Sequence, residues 1–225
     1  MANEANDKRL AAEAAVAEVT PGQRVGLGTG STVAYFIDAL AARVRDGLAI
    51  RAVATSLASA ERARAAGIAV DDFAEVAHVD LTVDGADELD PRFYAIKGAG
   101  GALLREKIVA AASARMVVIA DGAKQVAAIG AAKLPVEVIP FARAFVAARL
   151  AALGAAVTPR DSLTDNGNLI LDARFAAFPE PRDLARALDA TPGVMGHGLF
   201  LDEVDAAYVA RDGVVTRLER AAPRR

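Results

Sequence analysis

From Arg24 to about Ile129 the chain alternates short apolar runs with helical patterns, and the runs stop on polar residues. Arg24 to Gly28, Ile50 to Ala54, Ile68 to Val70, Val79 to Val83 and Met116 to Ala120 read as strands. Between the first two, Val33, Phe36, Ile37, Leu40 and Val44 recur at helical spacing on one face. Leu57 to Ala66 reads as the next helix, with Gly67 as its C′ residue. A leading helix, capped by Asn3 or Asn6, runs to about Val19 and stops at Thr20-Pro21-Gly22. Such alternation requires a parallel sheet covered on both faces, so the fold class is α/β with a Rossmann-like sheet. Ligands of such sheets gather beyond the carboxyl ends of the strands, near a switch in strand order. Thr29, Thr55, Asp84, Asp87, Lys97 and Asp121 all fall at strand ends, so separate segments converge on one rim.

The pattern changes after Ile129. Leu134 to Ile139 reads as a strand, and Pro140 opens a helix that ends near Gly154. The strands Ala155 to Thr158 and Asn168 to Asp172 flank the turn-forming Thr164-Asp165-Asn166-Gly167. A helix from about Arg182 to Ala190 and a strand from Gly198 to Leu201 follow. This is the pattern of a small α+β domain with a mainly antiparallel sheet. The expected division is 1–129 plus about 203–225 for the Rossmann-like domain and 130–202 for the smaller one. Ala206 to Ala210 and Val214 to Leu218 form a hairpin, and Ala221 to Arg225 are expected to fray.

Composition narrows the chemistry. The net charge of −3 over 225 residues argues against a broad nucleic-acid or anionic-lipid footprint, though not against a local cationic pocket. There is no cysteine, hence no thiolate ligand or nucleophile, and His78 and His197 are far apart, so no metal site is expected. No apolar run approaches the roughly 18 residues of a membrane helix. The N-terminus has no apolar signal segment, and the expected location is the cytoplasm.

The rim carries three chemical motifs. Gly26-Leu27-Gly28-Thr29-Gly30-Ser31-Thr32 has the wrong glycine spacing for a dinucleotide fingerprint, which sets aside a nicotinamide-dependent oxidoreductase. It does place three hydroxyls where a helix begins, with Ser31 or Thr32 as cap, which suits a phosphate. Asp84-Gly85-Ala86-Asp87-Glu88 packs three carboxylates beside a buried-looking strand, and neighbouring carboxylates divide acid and base roles when their pKa values separate. Lys97-Gly98-Ala99-Gly100-Gly101-Ala102-Leu103-Leu104-Arg105-Glu106-Lys107 reads as strand end, glycine-rich turn and helix start, with the helix running to Ser113. It joins an anion-binding turn to a cation and a carboxylate. Lys124, after another strand, is a second candidate cation, and Lys8 a weaker third. Together these residues suit acid–base chemistry on a small phosphorylated, hydroxylated molecule.

At these residues the chain resembles the A-type ribose-5-phosphate isomerase family. GLGTGST at Gly26 to Thr32, DGADE at Asp84 to Glu88, KGAGGALLREK at Lys97 to Lys107 and ADGAKQ at Ala120 to Gln125 carry the resemblance. LPVEVIP, TDNGN and PGVMGHGLF extend it to the second domain. The resemblance implies reversible conversion of ribose 5-phosphate to ribulose 5-phosphate through an enediolate, without metal or cofactor. It makes Glu106 the base, Lys97 a stabilising cation, and Asp84 or Asp87 the carrier of hydroxyl protons. It lines the substrate site with Thr29, Gly30, Ser31 and Thr32, with Asp84, Gly85, Ala86 and Asp87, with Lys97, Gly98, Ala99 and Gly100, and with Lys124. A homodimer or homotetramer, with the smaller domain as its interface, is the expected assembly. Ala99 and Leu104 depart from the commoner glycine and threonine of relatives. The rival reading is a non-catalytic sugar-phosphate sensor domain; no helix-turn-helix segment precedes the domain in this sequence, and a sensor has no use for a base at Glu106.

Overall fold

The computed structural model describes residues 2–221, so all but the first residue of the tail expected to fray lies outside the described residues. Helix α1 (Ala2–Ala15) opens the chain. Asn3 and Asn6 lie within this helix, so neither is its N-cap; Asn3 instead donates from Nδ2 to Asp212 Oδ1 at 2.8 Å. A short 3-10 turn leads to β1 (Arg24–Leu27), α2 (Ser31–Arg45), β2 (Arg51–Ala54) and α3 (Leu57–Ala65). Next come β3 (Val79–Gly85), β4 (Glu88–Leu89), β5 (Ala95–Ile96), α4 (Leu103–Ala111) and β6 (Ser113–Asp121). The run from Ile68 to Val70 forms only an isolated bridge, Ala52 to Val70, and is not a strand. Asp72 takes the chain away from the sheet by accepting the Ala74 N–H and capping a 3-10 turn, Phe73–Glu75. Helix α4 stops at Ala111, before Ser113, because Ser113 already begins β6 opposite Val79.

The second half supplies β7 (Leu134–Val138), α5 (Arg143–Ala152), β8 (Ala155–Pro159), β9 (Leu169–Phe175) and α6 (Pro181–Asp189). It ends with β10 (Val194–His197), β11 (Leu199–Phe200), β12 (Ala206–Arg211) and β13 (Val214–Glu219). The strand expected over Gly198 to Leu201 is thus the second of two short ones. The break has a cause: the Gly198 N–H donates to the Pro135 carbonyl while its own carbonyl accepts the Lys97 N–H, so the chain changes sheets there.

The main sheet has the order β13-β12-β6-β3-β1-β2, parallel throughout except for the β12–β13 hairpin. The chain leaves β1 toward β2 on one side and returns to β3 on the other, so the order switches between β1 and β3. That is where α/β sheets open a crevice at their carboxyl edge. One face is sealed by α1 and α2. Val33, Phe36, Ile37, Leu40 and Ala41 of α2 pack on Val25, Leu27, Leu81 and Val83, with Ala11, Ala12 and Ala15 of α1 closing the layer. Truncating the fully buried Phe36 to alanine in such a layer costs about 3–5 kcal/mol.

The four-stranded sheet, β10-β7-β9-β8, is antiparallel throughout. It buries Val136, Val138 and Leu171 against Val146 and Leu150 of α5 and Leu184 and Leu188 of α6. A third, three-stranded sheet, β11-β5-β4, takes two strands from between β3 and β6 and one from between β10 and β12, and Lys97 directly follows its central strand β5.

Candidate active site

Lys97 leaves β5 as a buried side chain, 2% exposed. Its Nζ lies 2.9 Å from Asp84 Oδ2 and 3.1 Å from Glu106 Oε2, and it donates to the Gly85 carbonyl at 2.6 Å. Asp84 closes β3 and is wholly buried. Its Oδ1 accepts the N–H groups of Thr29 at 3.0 Å and Gly85 at 2.7 Å, tying the end of β3 to the turn after β1 across the switch point. Gly28 makes this approach feasible: a Cβ there would sit 2.0 Å from Asp84 Oδ1. Glu106 reaches the same ammonium from the first turn of α4, and its Oε2 is buried without a hydrogen-bond donor of good geometry.

This arrangement changes the proton affinity of Glu106. Burial raises the pKa of Glu106, the Asp84 charge raises it further, and Lys97 pulls it down; the balance leaves it at about 8. For Lys97, burial acts to lower the pKa, but the charges of Asp84 and Glu106 outweigh it and hold the lysine above its ordinary value. The cluster therefore carries no net charge when Glu106 is protonated. A group that gains and loses a proton near neutrality is suited to general acid–base work.

Above the cluster lies a cavity of about 260 Å³. The 29–32 turn, residues 85–87 and 97–100, Glu106 and Lys124 all line it, and Lys8 joins them. Asp84 does not: it lies beneath, held by Lys97 and two N–H groups. Asp87 does, and its Oδ2 accepts the Ala99 N–H at 2.9 Å.

Helix α2 starts on the cavity wall. Its N-cap is Gly30 rather than Ser31 or Thr32, at φ 118°, a backbone state that favours glycine and leaves Ser31 as the first helical residue. Among the described residues no side chain caps this end, so the first N–H groups of a 15-residue helix remain available to an anion. Thr29 Oγ1 is fixed beside it by a 2.7 Å hydrogen bond to the buried Thr55 Oγ1. Lys8 enters from α1 with its Nζ 2.6 Å from Glu4, and Lys124 enters from the 3-10 turn that Asp121 caps after β6.

A buried glutamate on a lysine, below a helix N-terminus flanked by two further lysines, is one site built from four parts of the chain. The chain is also similar to known proteins over most of its length. The sequence profile described as ribose 5-phosphate isomerase A (phosphoriboisomerase A) matches residues 51–213. The chain belongs to the ribose 5-phosphate isomerase A family. It is 53% identical over 220 residues to "Ribose-5-phosphate isomerase A" of Sphingopyxis alaskensis, spanning 96% of each chain. Among solved structures it matches ribose 5 phosphate isomerase A from Neisseria gonorrhoeae with TM-score 0.93 and 36% identity, over 99% of this chain and 100% of that one. A D-ribose-5-phosphate isomerase in complex with phospho-erythronic acid matches with TM-score 0.93 and 35% identity, over 97% and 100%.

Within this isomerase-family site several residues escape a reading of the sequence. Phe200 is fully buried, and its ring centre lies 5.2 Å from Lys97 Nζ and 4.1 Å from Lys107 Nζ. Its only signal is its place in the PGVMGHGLF block. Glu88, the third acid of the DGADE block, is committed elsewhere: it accepts the N–H groups of Gly130 at 2.6 Å and Ala132 at 2.7 Å and anchors the chain ahead of β7. Arg160 is held by Asp172 and reaches the carbonyls of the glycine-rich turn from the four-stranded unit. The two departures are accommodated. Ala99 sits outside the left-handed region, and Leu104 packs against Gly196 of β10.

Proposed function

We propose that this chain interconverts D-ribose 5-phosphate and D-ribulose 5-phosphate, the aldose–ketose step of the non-oxidative pentose phosphate pathway. The observation that carries the reading is the Glu106–Lys97 pair at the base of a cavity whose wall is an uncapped helix N-terminus. The phosphate binds at Ser31 and Thr32 with Lys8 and Lys124, which places the open-chain sugar's other end over Glu106. Ionised Glu106 takes the proton from C2, and the electron pair forms an enediolate across C1 and C2. The protonated Glu106 then returns that proton to C1. The hydroxyl proton leaving O2 and arriving at O1 is carried by Asp87, the acid of its block that lines the cavity, while Asp84 holds Lys97 in place. Lys97, charged throughout, stabilises the enediolate without a metal or cofactor. A general base so positioned contributes roughly 10²–10⁴ in rate.

We further assign 1–129 with about 203–225 to a catalytic domain and 130–202 to a smaller α+β domain, a division supported by their main apolar clusters, although Ile96 and Ile129 pack with the smaller domain and Phe200 with the larger. A cytoplasmic homodimer or homotetramer, with the smaller domain at its interface and no nucleic-acid or membrane partner, fits this role. Among the described residues no helix is long and apolar enough to cross a membrane. Purified protein mixed with ribose 5-phosphate tests the reading: ketose accumulates if it holds. Binding without turnover would revive a sugar-phosphate sensor.

A further inference from the structure

We propose that Arg160 is a positioning residue for this isomerase, fixing two successive peptide planes of the glycine-rich turn so that the Gly100 N–H faces the enediolate. The inference rests on the isomerase reading above. Arg160 Nη1 donates to the Gly98 carbonyl at 3.2 Å and to the Ala99 carbonyl at 3.0 Å. In a trans peptide the C=O and the next residue's N–H point in opposite directions. Holding the Gly98 carbonyl therefore aims the Ala99 N–H the other way, and that N–H is bonded to Asp87 Oδ2 at 2.9 Å. Holding the Ala99 carbonyl aims the Gly100 N–H in the same manner. Among the described residues the Gly100 N–H has no protein acceptor, and Gly100 lines the cavity with Lys97 and Glu106.

The guanidinium is itself clamped. Asp172 of β9, 5% exposed, receives Nε at 3.0 Å and Nη2 at 2.7 Å, and Lys133 reaches the same carboxylate at 2.5 Å. A bidentate carboxylate fixes the plane of an arginine in a way it does not fix a lysine. The four-stranded unit thereby adds to a turn that is otherwise held by Asp87 and by its own Gly101 N–H, which donates to the Gly98 carbonyl at 3.0 Å; the Ala99 carbonyl is held by Arg160. A donor pre-aimed at developing negative charge acts mainly in the transition state, whereas the phosphate end of the substrate lies on other residues.

The experiment compares wild type, R160M, R160K and D172N in turnover of ribose 5-phosphate and in inhibition by two probes. One probe is inorganic phosphate; the other is phospho-erythronic acid, whose carboxylate places two oxygens where an enediolate has them. R160M is expected to lose about 10–100-fold in kcat, less than the roughly 10²–10³ for removing an oxyanion donor because the N–H is misaimed rather than lost, with KM changed less than about threefold. Its inhibition constant for phospho-erythronic acid should rise in step, and that for phosphate should stay at the wild-type value. R160K should fall between wild type and R160M, and D172N, which keeps the shape of the clamp, should shift in the same direction if R160M does not fold. An R160M or D172N enzyme with wild-type kcat and only a lower Tm would overturn the inference. So would equal weakening of both probes. An inactive wild type would overturn the isomerase reading and this inference with it.

Discussion

Two buried glutamates on neighbouring parts of this molecule have opposite fates. Glu137 on β7 is fully buried, and its Oε1 accepts from Thr164 Oγ1 at 2.9 Å, Asn166 Nδ2 at 3.0 Å and Asn168 Nδ2 at 2.9 Å. That web shapes the Thr164–Asn168 turn. The turn then docks on the main sheet's helices: Asp165 accepts the Leu57 N–H at the start of α3, and Arg105 of α4 bonds to Asn166 and to the Asp165 carbonyl. Glu106, the next residue after Arg105, is 2% exposed and has Lys97 as its charge partner. Neutral donors arranged around a carboxylate make it a scaffold. A carboxylate buried with one shared cation and a second acid nearby has its pKa raised toward neutrality, as at Glu106. The chain applies both treatments to the same residue type.

Swapping charges at the two glutamates should break this contrast most visibly at Glu106. E106Q is expected to lower kcat by about 10²–10⁴ while sugar-phosphate binding, measured by calorimetry, persists. The stability sign is also set. The folded pKa of Glu106, about 8, exceeds its ordinary value of 4.5, so its contribution is fully present below 4.5 and is lost as pH rises through 8. Wild type should therefore lose stability relative to E106Q on going from pH 6 to pH 9 in paired thermal melts. A wild type that holds or gains stability relative to E106Q over that interval would mean that Glu106 is not the strained group.

K97M comes next. It leaves Asp84 buried without its cation, a loss on the order of 3–5 kcal/mol, readable in urea unfolding. It also removes the partner that holds the Glu106 pKa down, so any remaining activity should need a higher pH than wild type. The smallest effect belongs to the scaffold. E137L strands the donors of Thr164, Asn166 and Asn168 and should cost roughly 1–3 kcal/mol in unfolding. Its kcat should stay within about tenfold of wild type, because the turn supports the site without touching it. A kcat loss as large as that of E106Q would erase the distinction.

The parallel sheet was legible because its strands end on residues whose types have no place in an apolar core, Thr29, Asp84 and Asp121; Lys97 joins that rim from β5 of the separate antiparallel sheet. The candidate site was legible for the same reason, since a parallel sheet gathers those ends on one rim. What was not legible depends on contacts between distant segments. Nothing in the DGADE block says that Glu88 will be tied off by the N–H groups of Gly130 and Ala132, or that Asp84 will lie under the cavity and Asp87 beside it. Local hydroxyls pointed to Ser31 or Thr32 as cap of α2, yet the cap is Gly30, and the missing cap is what leaves the helix end open. Arg160 and Phe200 lie far along the chain from Lys97 and meet its surroundings only once the four-stranded sheet and β11 have docked.

The most direct measurement is kcat/KM for ribose 5-phosphate against pH, for wild type and for D84N. The account predicts an activity that rises with pH through an ionisation near 8 in wild type, because Glu106 must lose its proton before it can act. Removing the Asp84 charge should move that ionisation to lower pH, since Asp84 is one of the groups that raise it. A profile flat from pH 6 to 9, or one that D84N leaves in place, would contradict the assignment of Glu106 as the base.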